Sequence, residues 1–400
     1  MKIVFKYDEL LQNLVDLSLV VEDIMSSEDM KNVIFRFTKD DVQLIGINQI
    51  VNSFKRTLPK DIYRVEIADE EFKDGVAYMQ IKSKEIISYL NSYKSLRRTE
   101  VEEVELNLVN NLTIVCKVAE KDLENGQVYL SSYNFNNIPI KPNLVSNINL
   151  TAPEDVEGEV VPLSDILLYT KNMLPIMKND TGLFGQLVFG DDGVVVAFNA
   201  TFTTFMQNKL PSSFSGIKLS YRAISFIDKI FSNDTEVICK KLDRHLHIYS
   251  AGTNSEAFIV YDAKLPNYKM TKDLFVKDHA FVLDRVYFKD ILKRLSLVNE
   301  SIEIKIKCDE DIIEVKNSKF HQTVPILQKK ALDEYNQISF KLLPDTLNKI
   351  IIGSDDEFSP QSFIYYCPQP NGDAILAFTD SSGSEGVNAW YSVVKVRPFK

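Results

Sequence analysis

The chain has 400 residues, 45% of them hydrophobic and 26% charged, with 46 Lys+Arg against 56 Asp+Glu and a formal net charge of −10. This is the composition of a folded globular protein long enough for two to four domains of roughly 100–200 residues, and its acidic balance on average repels nucleic acid. No apolar stretch approaches the roughly 20 residues that cross a bilayer, and Met1-Lys2-Ile3-Val4-Phe5-Lys6-Tyr7-Asp8 is too short and polar for a secretory signal, so a cytoplasmic chain without a membrane partner is expected.

An apolar strand-like run leading into an amphipathic helix comes round six times. In chain order it is Ile3-Val4-Phe5 into a helix over 8–19, Tyr78-Met79-Gln80-Ile81 into 83–96, and Val160-Val161-Pro162-Leu163 into 164–177. Ile217-Lys218-Leu219 then leads into 220–231, Phe281-Val282-Leu283 into 286–298, and Ile338-Ser339-Phe340 into 344–351. Self-similarity of this kind signals one supersecondary unit copied along the chain. The copies pair: Leu11, Leu167 and Leu292 on one helix of each pair match Ile87, Ile224 and Leu347 on the other, at separations of 76, 57 and 55 residues. Three similar domains follow, expected at 1–145, 158–270 and 278–400, with linkers around 141–159 and 268–278.

Between the helices the chain reads as β. Segments 104–117, 187–198, 237–249, 302–315 and 374–378 are rich in Val, Ile, Phe and Tyr and are punctuated by Asn110-Asn111, Asp191-Asp192-Gly193, Asp243-Arg244 and Asn371-Gly372-Asp373, residues suited to hairpin turns. Short hairpins between sparse helices predict an α+β fold with antiparallel sheets rather than βαβ alternation. Cys116, Cys239, Cys308 and Cys367 are scattered and form no C-x-x-C pair, so they read as small core residues in a reducing compartment, not as a zinc or disulfide framework.

Charge is unevenly placed. The six strand–helix windows (2–20, 82–98, 163–178, 218–229, 285–294 and 341–349) hold 18 Lys+Arg against 8 Asp+Glu, leaving the remainder of the chain at −20. An acidic body carrying basic helices suits a surface that meets phosphates through counterion release without reading sequence. Charged residues on any amphipathic helix also occupy its solvated face, and charge alone does not separate the two readings. The first helix, with Asp8, Glu9 and Asp16, does not follow the basic pattern.

Three domains of two strand–helix halves, the Met1-Lys2-Ile3-Val4-Phe5 start and Ala263-Lys264-Leu265-Pro266-Asn267-Tyr268 together resemble the bacterial-type sliding clamp, the β subunit of DNA polymerase III. The last segment is similar to that family's G-[RK]-[FY]-P-x-Y signature with Ala263 in place of glycine. Leu183-Phe184-Gly185-Gln186-Leu187 falls where the family has L-x-G-x-L, and Tyr391-Ser392-Val393-Val394-Lys395-Val396-Arg397 is similar to its closing strand. The chain departs from the pattern at Phe198-Asn199-Ala200-Thr201-Phe202-Thr203, which replaces a T-D-G-H-R-L run, and in continuing through Pro398-Phe399-Lys400. An altered partner pocket fits a clamp serving its own polymerase, such as a phage-encoded one.

The resemblance implies a ring of two head-to-tail copies around duplex DNA, with antiparallel sheets outside, paired helices lining a central hole, and no cofactor. DNA-facing candidates are Lys94, Arg97, Lys171, Arg222, Lys229, Lys289, Lys293, Arg294 and Lys349. A partner-peptide pocket, serving the polymerase and clamp loader, is placed at Leu183, Phe198, Ala200, Phe202, Pro266, Tyr268, Met270, Val394 and Val396. Apolar, aromatic and Met side chains there suit short peptides from several partners, although Leu183, Phe198 and Val394 each read equally as core strand residues. At the joint between copies, Val128 and Leu130 are expected to meet Leu297 and Val298 heterologously.

Enzyme signatures are missing: the chain has no G-x-x-x-x-G-K-[ST], G-x-G-x-x-G, H-E-x-x-H or G-x-S-x-G. His245 and His247 share a strand face without an evident third metal ligand. Asp191-Asp192 before Gly193 reads as a turn rather than half of a two-metal site, and Gly383 with Gly386 reads as a loop rather than a phosphate cradle. Two hypotheses remain, a non-enzymatic DNA-encircling processivity factor and a structural or assembly protein of repeated α+β domains without DNA binding.

Overall fold

In the first five repeats the strand hands directly into its helix, with no residue between the two elements. Lys6, closing the strand Lys2–Lys6, has extended backbone and precedes helix α1 (Tyr7–Val21), whose first turn carries Asp8 and Glu9 where the helix dipole favours negative charge. The structure, a computed structural model, describes residues 1–22, 30–66, 75–94, 99–140, 157–177, 183–199, 201–207, 210–231, 234–268, 279–295, 297–298, 300–332, 335–343, 346, 349, 360–379 and 390–399. The other helices are α2 (Ser83–Asn91), α3 (Leu163–Met173), α4 (Tyr221–Phe231) and α5 (Arg285–Leu295). The sixth predicted helix, 344–351, lies mostly outside the described residues, of which Thr346 and Lys349 are helical.

Each helix is held by one apolar stripe. α1 buries Tyr7, Leu10, Leu11, Leu14, Leu17, Val20 and Val21, a three-to-four-residue spacing that turns one face to the core, at about 1.5–3 kcal/mol for each fully buried large side chain. Gly46 lets that face approach the strand Val42–Gly46, since a Cβ there would lie 2.8 Å from Leu17 Cδ1 and 2.9 Å from Val21 Cγ1. Three antiparallel strands follow each helix wherever the segment is described. After α1 they are Asn32–Phe37, Val42–Gly46 and Val51–Thr57, and after α2 they are Thr99–Asn110, Thr113–Asp122 and Val128–Asn136. The predicted turns hold: Gly193 and Gly372 carry the positive φ (78° and 82°) that the hairpin bends require.

The chain divides into two compact units, Met1–Ser164 with Phe226–Val260, and Asp165–Ser225 with Tyr261–Lys400. The first contains a five-stranded sheet in the order Tyr63–Glu66, Lys2–Lys6, Thr99–Asn110, Thr113–Asp122, Val128–Asn136. It also contains an eight-stranded sheet in which the three strands after α4 (Glu236–Lys241, His245–Ser250, Ser255–Val260) join the three after α1, flanked by Glu159–Pro162 and Ala77–Lys82. The second unit repeats this plan. In its nine-stranded sheet the strands after α3 (Gln186–Phe189, Val194–Phe198, Phe202–Gln207) join Gln361–Pro368, Ala374–Thr379 and Trp390–Val396, and a four-stranded sheet runs His321–Pro325, Ile312–Lys316, Ile302–Lys307, Gln337–Leu342.

Two sets of three strands are therefore joined edge to edge in the eight- and nine-stranded sheets, while two further sets, after α2 and after α5, each end in an edge strand with no neighbour among the described residues. Those edges are Val128–Asn136 and His321–Pro325. Three of the other edges carry a contact: Gln80 donates to the Asn137 side chain and accepts from Ile138 N, Lys218 bridges Asp262, and Ser339 bridges Phe399.

Candidate DNA-facing, partner-binding and subunit-joining surfaces

The helices separate their charges from their apolar stripes. On α5, Phe288, Ile291, Leu292 and Leu295 are buried, while Lys293 and Arg294 are exposed and Lys289 is half-buried. Lys293 Nζ lies 3.3 Å from Asp290 Oδ1, and Arg294 Nε donates to the Asp290 carbonyl at 3.1 Å. On α4, Ala223, Ile224, Ile227 and Ile230 are buried, leaving Lys229 exposed in the last turn and Arg222 half-buried. Lys94 is exposed in the turn after α2, Lys171 is on α3, and Lys349 is half-buried; Arg97 lies outside the described residues.

Two cations counted in the basic windows do not contribute to a surface. Arg285 is fully buried at the start of α5, and Lys218 is paired with Asp262 at 2.7 Å. The acidity of α1 also has a structural use, because Asp16 Oδ2 receives Arg56 Nη1 at 2.6 Å and so ties the helix to the strand Val51–Thr57.

The predicted partner-pocket residues gather in the second unit. Phe202 and Val394 are cross-strand partners, and both are buried, as are Phe198 and Val396. Leu183 is exposed in a short 3-10 turn, and Pro266 is half-buried; Ala200 and Met270 lie outside the described residues. Tyr268 is buried against Phe198, Val196 and Val393, and its hydroxyl donates to Asp192 Oδ1 at 2.7 Å and to Asp191 Oδ1 at 3.2 Å. Burial, followed by the two carboxylates, pushes the Tyr268 phenol well above its ordinary range. The Asp191-Asp192 turn thus anchors the segment that resembles the family signature, a role its turn chemistry does not announce. Gly190 allows this approach, since a Cβ there would collide with the Tyr268 hydroxyl.

Two of the predicted joint residues, Val128 and Leu130, lie on the open edge strand of the five-stranded sheet. Val128 and Leu130 are exposed, Leu130 at 77%, on a strand that also shows Tyr129 and Tyr133 to solvent. Leu297, just past α5, is 81% exposed, and Val298 is half-buried. Sequence reasoning singled out these four residues, but not the unpaired edges Val128–Asn136 and His321–Pro325 beside which the open strand sets end. An unpaired edge is a property of long-range pairing and has no local signature.

His245 and His247 lie on the strand His245–Ser250. His247 is buried and stacks on Phe258 with centroids 4.5 Å apart, and its Nε2 lies 2.8 Å from Glu256 Oε1. Glu256 also holds Lys55 Nζ at 3.0 Å, with side-chain exposures of only 2% and 10%. Burial raises the Glu256 carboxyl, but His247 and Lys55 outweigh it and hold the group below its usual range.

No family model and no curated protein matches the chain. Solved structures do. The DNA polymerase sliding clamp of Bacillus subtilis is similar with a TM-score of 0.70 at 12% identity, over 100% of this chain and 99% of that one. The DNA polymerase III subunit beta of Pseudomonas aeruginosa matches at 0.66 and 13%, and the beta subunit of the DNA polymerase of Streptococcus pyogenes at 0.69 and 10%, each over 100% of both chains. Over its whole length the chain has the fold of the bacterial DNA polymerase III beta sliding clamp, carried by a divergent sequence.

Proposed function

We propose that the chain is a non-catalytic sliding clamp, a processivity factor that encircles duplex DNA and tethers a replicative polymerase. The observation that carries this reading is the bookkeeping of sheet edges. Where two strand sets meet within the chain, the set after α1 with that after α4 and the set after α3 with the last three strands, they join into one antiparallel sheet, and among the described residues the sets after α2 and after α5 are left with unpaired edges at Val128–Asn136 and His321–Pro325. The same rule applied between copies pairs one copy's 128–136 with another's 321–325 and brings Val128 and Leu130 toward Leu297 and Val298. Such a contact is heterologous, so it closes into a ring when the rotation permits, here with two copies of three modules each.

The exposed cations Lys94, Lys229, Lys293 and Arg294 then meet phosphates loosely and without sequence, which a sliding protein requires, while the −10 net charge keeps the outside from holding DNA. Partner peptides from a polymerase and a loader dock around Leu183, Pro266 and Tyr268. The protein works where DNA is replicated, in the cytoplasm. The test is retention on closed circular duplex DNA before and after one cut. A clamp is lost on linearisation, whereas equal retention on circle and line, or no retention on either after loading, would favour a structural protein of repeated domains.

A further inference from the structure

A groove of about 740 Å³ runs beside α2 within the first unit, a size within the roughly 300–1,000 Å³ of small-ligand sites. Lys31, Lys82 and Lys84 line it together with Tyr89 and Tyr133. These residues come from four places that the fold brings together: Lys31 just before the strand Asn32–Phe37, Lys82 at the end of the strand Ala77–Lys82, Lys84 and Tyr89 on α2, and Tyr133 on the strand Val128–Asn136. Strand alternation turns Tyr133 to the helix side with Ser131 and Phe135, away from Val128 and Leu130. The rings of Tyr89 and Tyr133 lie 5.0 Å apart with a 31° tilt, and Phe135 packs behind both, 5.8 Å from Tyr89 and 4.8 Å from Tyr133.

The aromatic wall is held in place by hydroxyl contacts. Tyr93 donates to Ser131 Oγ at 3.1 Å, Ser131 donates to Glu120 at 2.7 Å, and the Tyr89 and Tyr93 hydroxyls lie 2.8 Å apart. Burial above all keeps the Tyr89 phenol protonated. Lys82 is only loosely paired with Glu85, at 3.9 Å.

We propose that this groove binds a phosphorylated nucleoside, as one unit of a single nucleic-acid strand or as a free nucleotide, with the base against Tyr133 and Tyr89 and the phosphate among Lys31, Lys82 and Lys84. An exposed aromatic face beside cations is how single strands are held without sequence preference. Duplex DNA does not fit, because its bases are stacked on each other and cannot reach the tyrosines. A run of peptide carboxylates would meet the same lysines but brings no flat ring to stack on the tyrosines. The proposal goes beyond the clamp reading and does not rest on it, since every residue belongs to one unit of one chain.

The test uses the full-length chain and a fluorescently labelled short oligothymidylate, followed by anisotropy as salt is varied, with dTTP as competitor. Lys82→Gln/Lys84→Gln weakens binding about tenfold or more and lowers the log–log salt slope by about 1.4, roughly 0.7 for each phosphate contact on a single strand. Tyr133→Ala weakens it about 5- to 150-fold, the range for losing one base–aromatic stack, with the salt slope unchanged. Tyr133→Phe and Lys82→Arg/Lys84→Arg bind like the parent chain, which separates loss of the site from loss of the fold. Displacement by dTTP at matched concentration makes the free nucleotide the ligand, and resistance to it makes the strand the ligand. The proposal is overturned if the parent chain does not bind the oligonucleotide at low salt, if Tyr133→Ala binds normally, if oligoglutamate displaces the probe more readily than unlabelled oligothymidylate, or if the variants change oligomeric mass and not affinity. A parent chain that is retained on circular duplex DNA but does not bind the oligonucleotide overturns this proposal and leaves the clamp reading standing.

Discussion

The eight- and nine-stranded sheets are each made by joining two sets of three strands, and the two joints use different chemistry. In the first, Val51–Thr57 meets Ser255–Val260 with Lys55 directly opposite Glu256, and the buried Lys55–Glu256–His247 cluster lies at the line of contact. In the second, Phe202–Gln207 meets Trp390–Val396 with Thr204 opposite Ser392, both fully buried and with their hydroxyls 2.8 Å apart. A buried charge cluster penalises any shift of register, because a slipped strand would leave a charge unpaired. A hydroxyl pair in an apolar sheet imposes little such penalty. One topology is thus held by an ionic register pin at one joint and by packing at the other.

The largest expected effect is loss of the pin. Glu256→Ala strands Lys55 and His247 in a buried site and should cost about 3–5 kcal/mol in chemical denaturation at neutral pH. At the second joint Thr204→Ala should cost about 1–3 kcal/mol, by leaving Ser392 without its partner, and Thr204→Val/Ser392→Ala should recover part of that loss through coupling of about 0.5–3 kcal/mol. Equal costs at the two joints would break the comparison.

pH sharpens it. The folded Glu256 carboxyl lies below its ordinary value of 4.5, so its contribution to stability is complete above that value and is lost as pH falls through the lower folded one. Denaturant midpoints of the parent chain should therefore drop more steeply below about pH 4.5 than those of Glu256→Gln, and parallel curves would remove Glu256 from the account. A smaller effect is expected at the family-like segment. Tyr268→Phe loses the bonds to Asp191 and Asp192 and should cost about 1 kcal/mol, measured as a shift in midpoint without a change in slope.

What the sequence makes legible follows from interaction range. The strand–helix repeats are visible because an apolar stripe and the turns at Gly193 and Gly372 are local, and five helices lie within a few residues of their expected places; α2 and α3 stop short at Asn91 and Met173. The joints are not visible, because Lys55 and Glu256 are about 200 positions apart and Thr204 and Ser392 are separated by 188. His247 is legible as a strand residue but not as part of a charge cluster, since its carboxylate arrives on the next strand. Val128, Leu130 and Leu297 are found only through family resemblance, as exposed apolar side chains with no local reason to be exposed. The groove beside α2 is missed because Lys31 and Tyr133 are remote from Tyr89 in the chain.

The central claim is that a third joint of the same kind forms between copies, from the edges Val128–Asn136 and His321–Pro325. Its most direct test is the mass in solution by sedimentation equilibrium, compared with Leu130→Asp. The account predicts a discrete multiple of 45.7 kDa for the parent chain, unchanged on further concentration, and a single chain for the variant. A parent chain that stays at the mass of one copy, or that grows without limit into filaments, would contradict it.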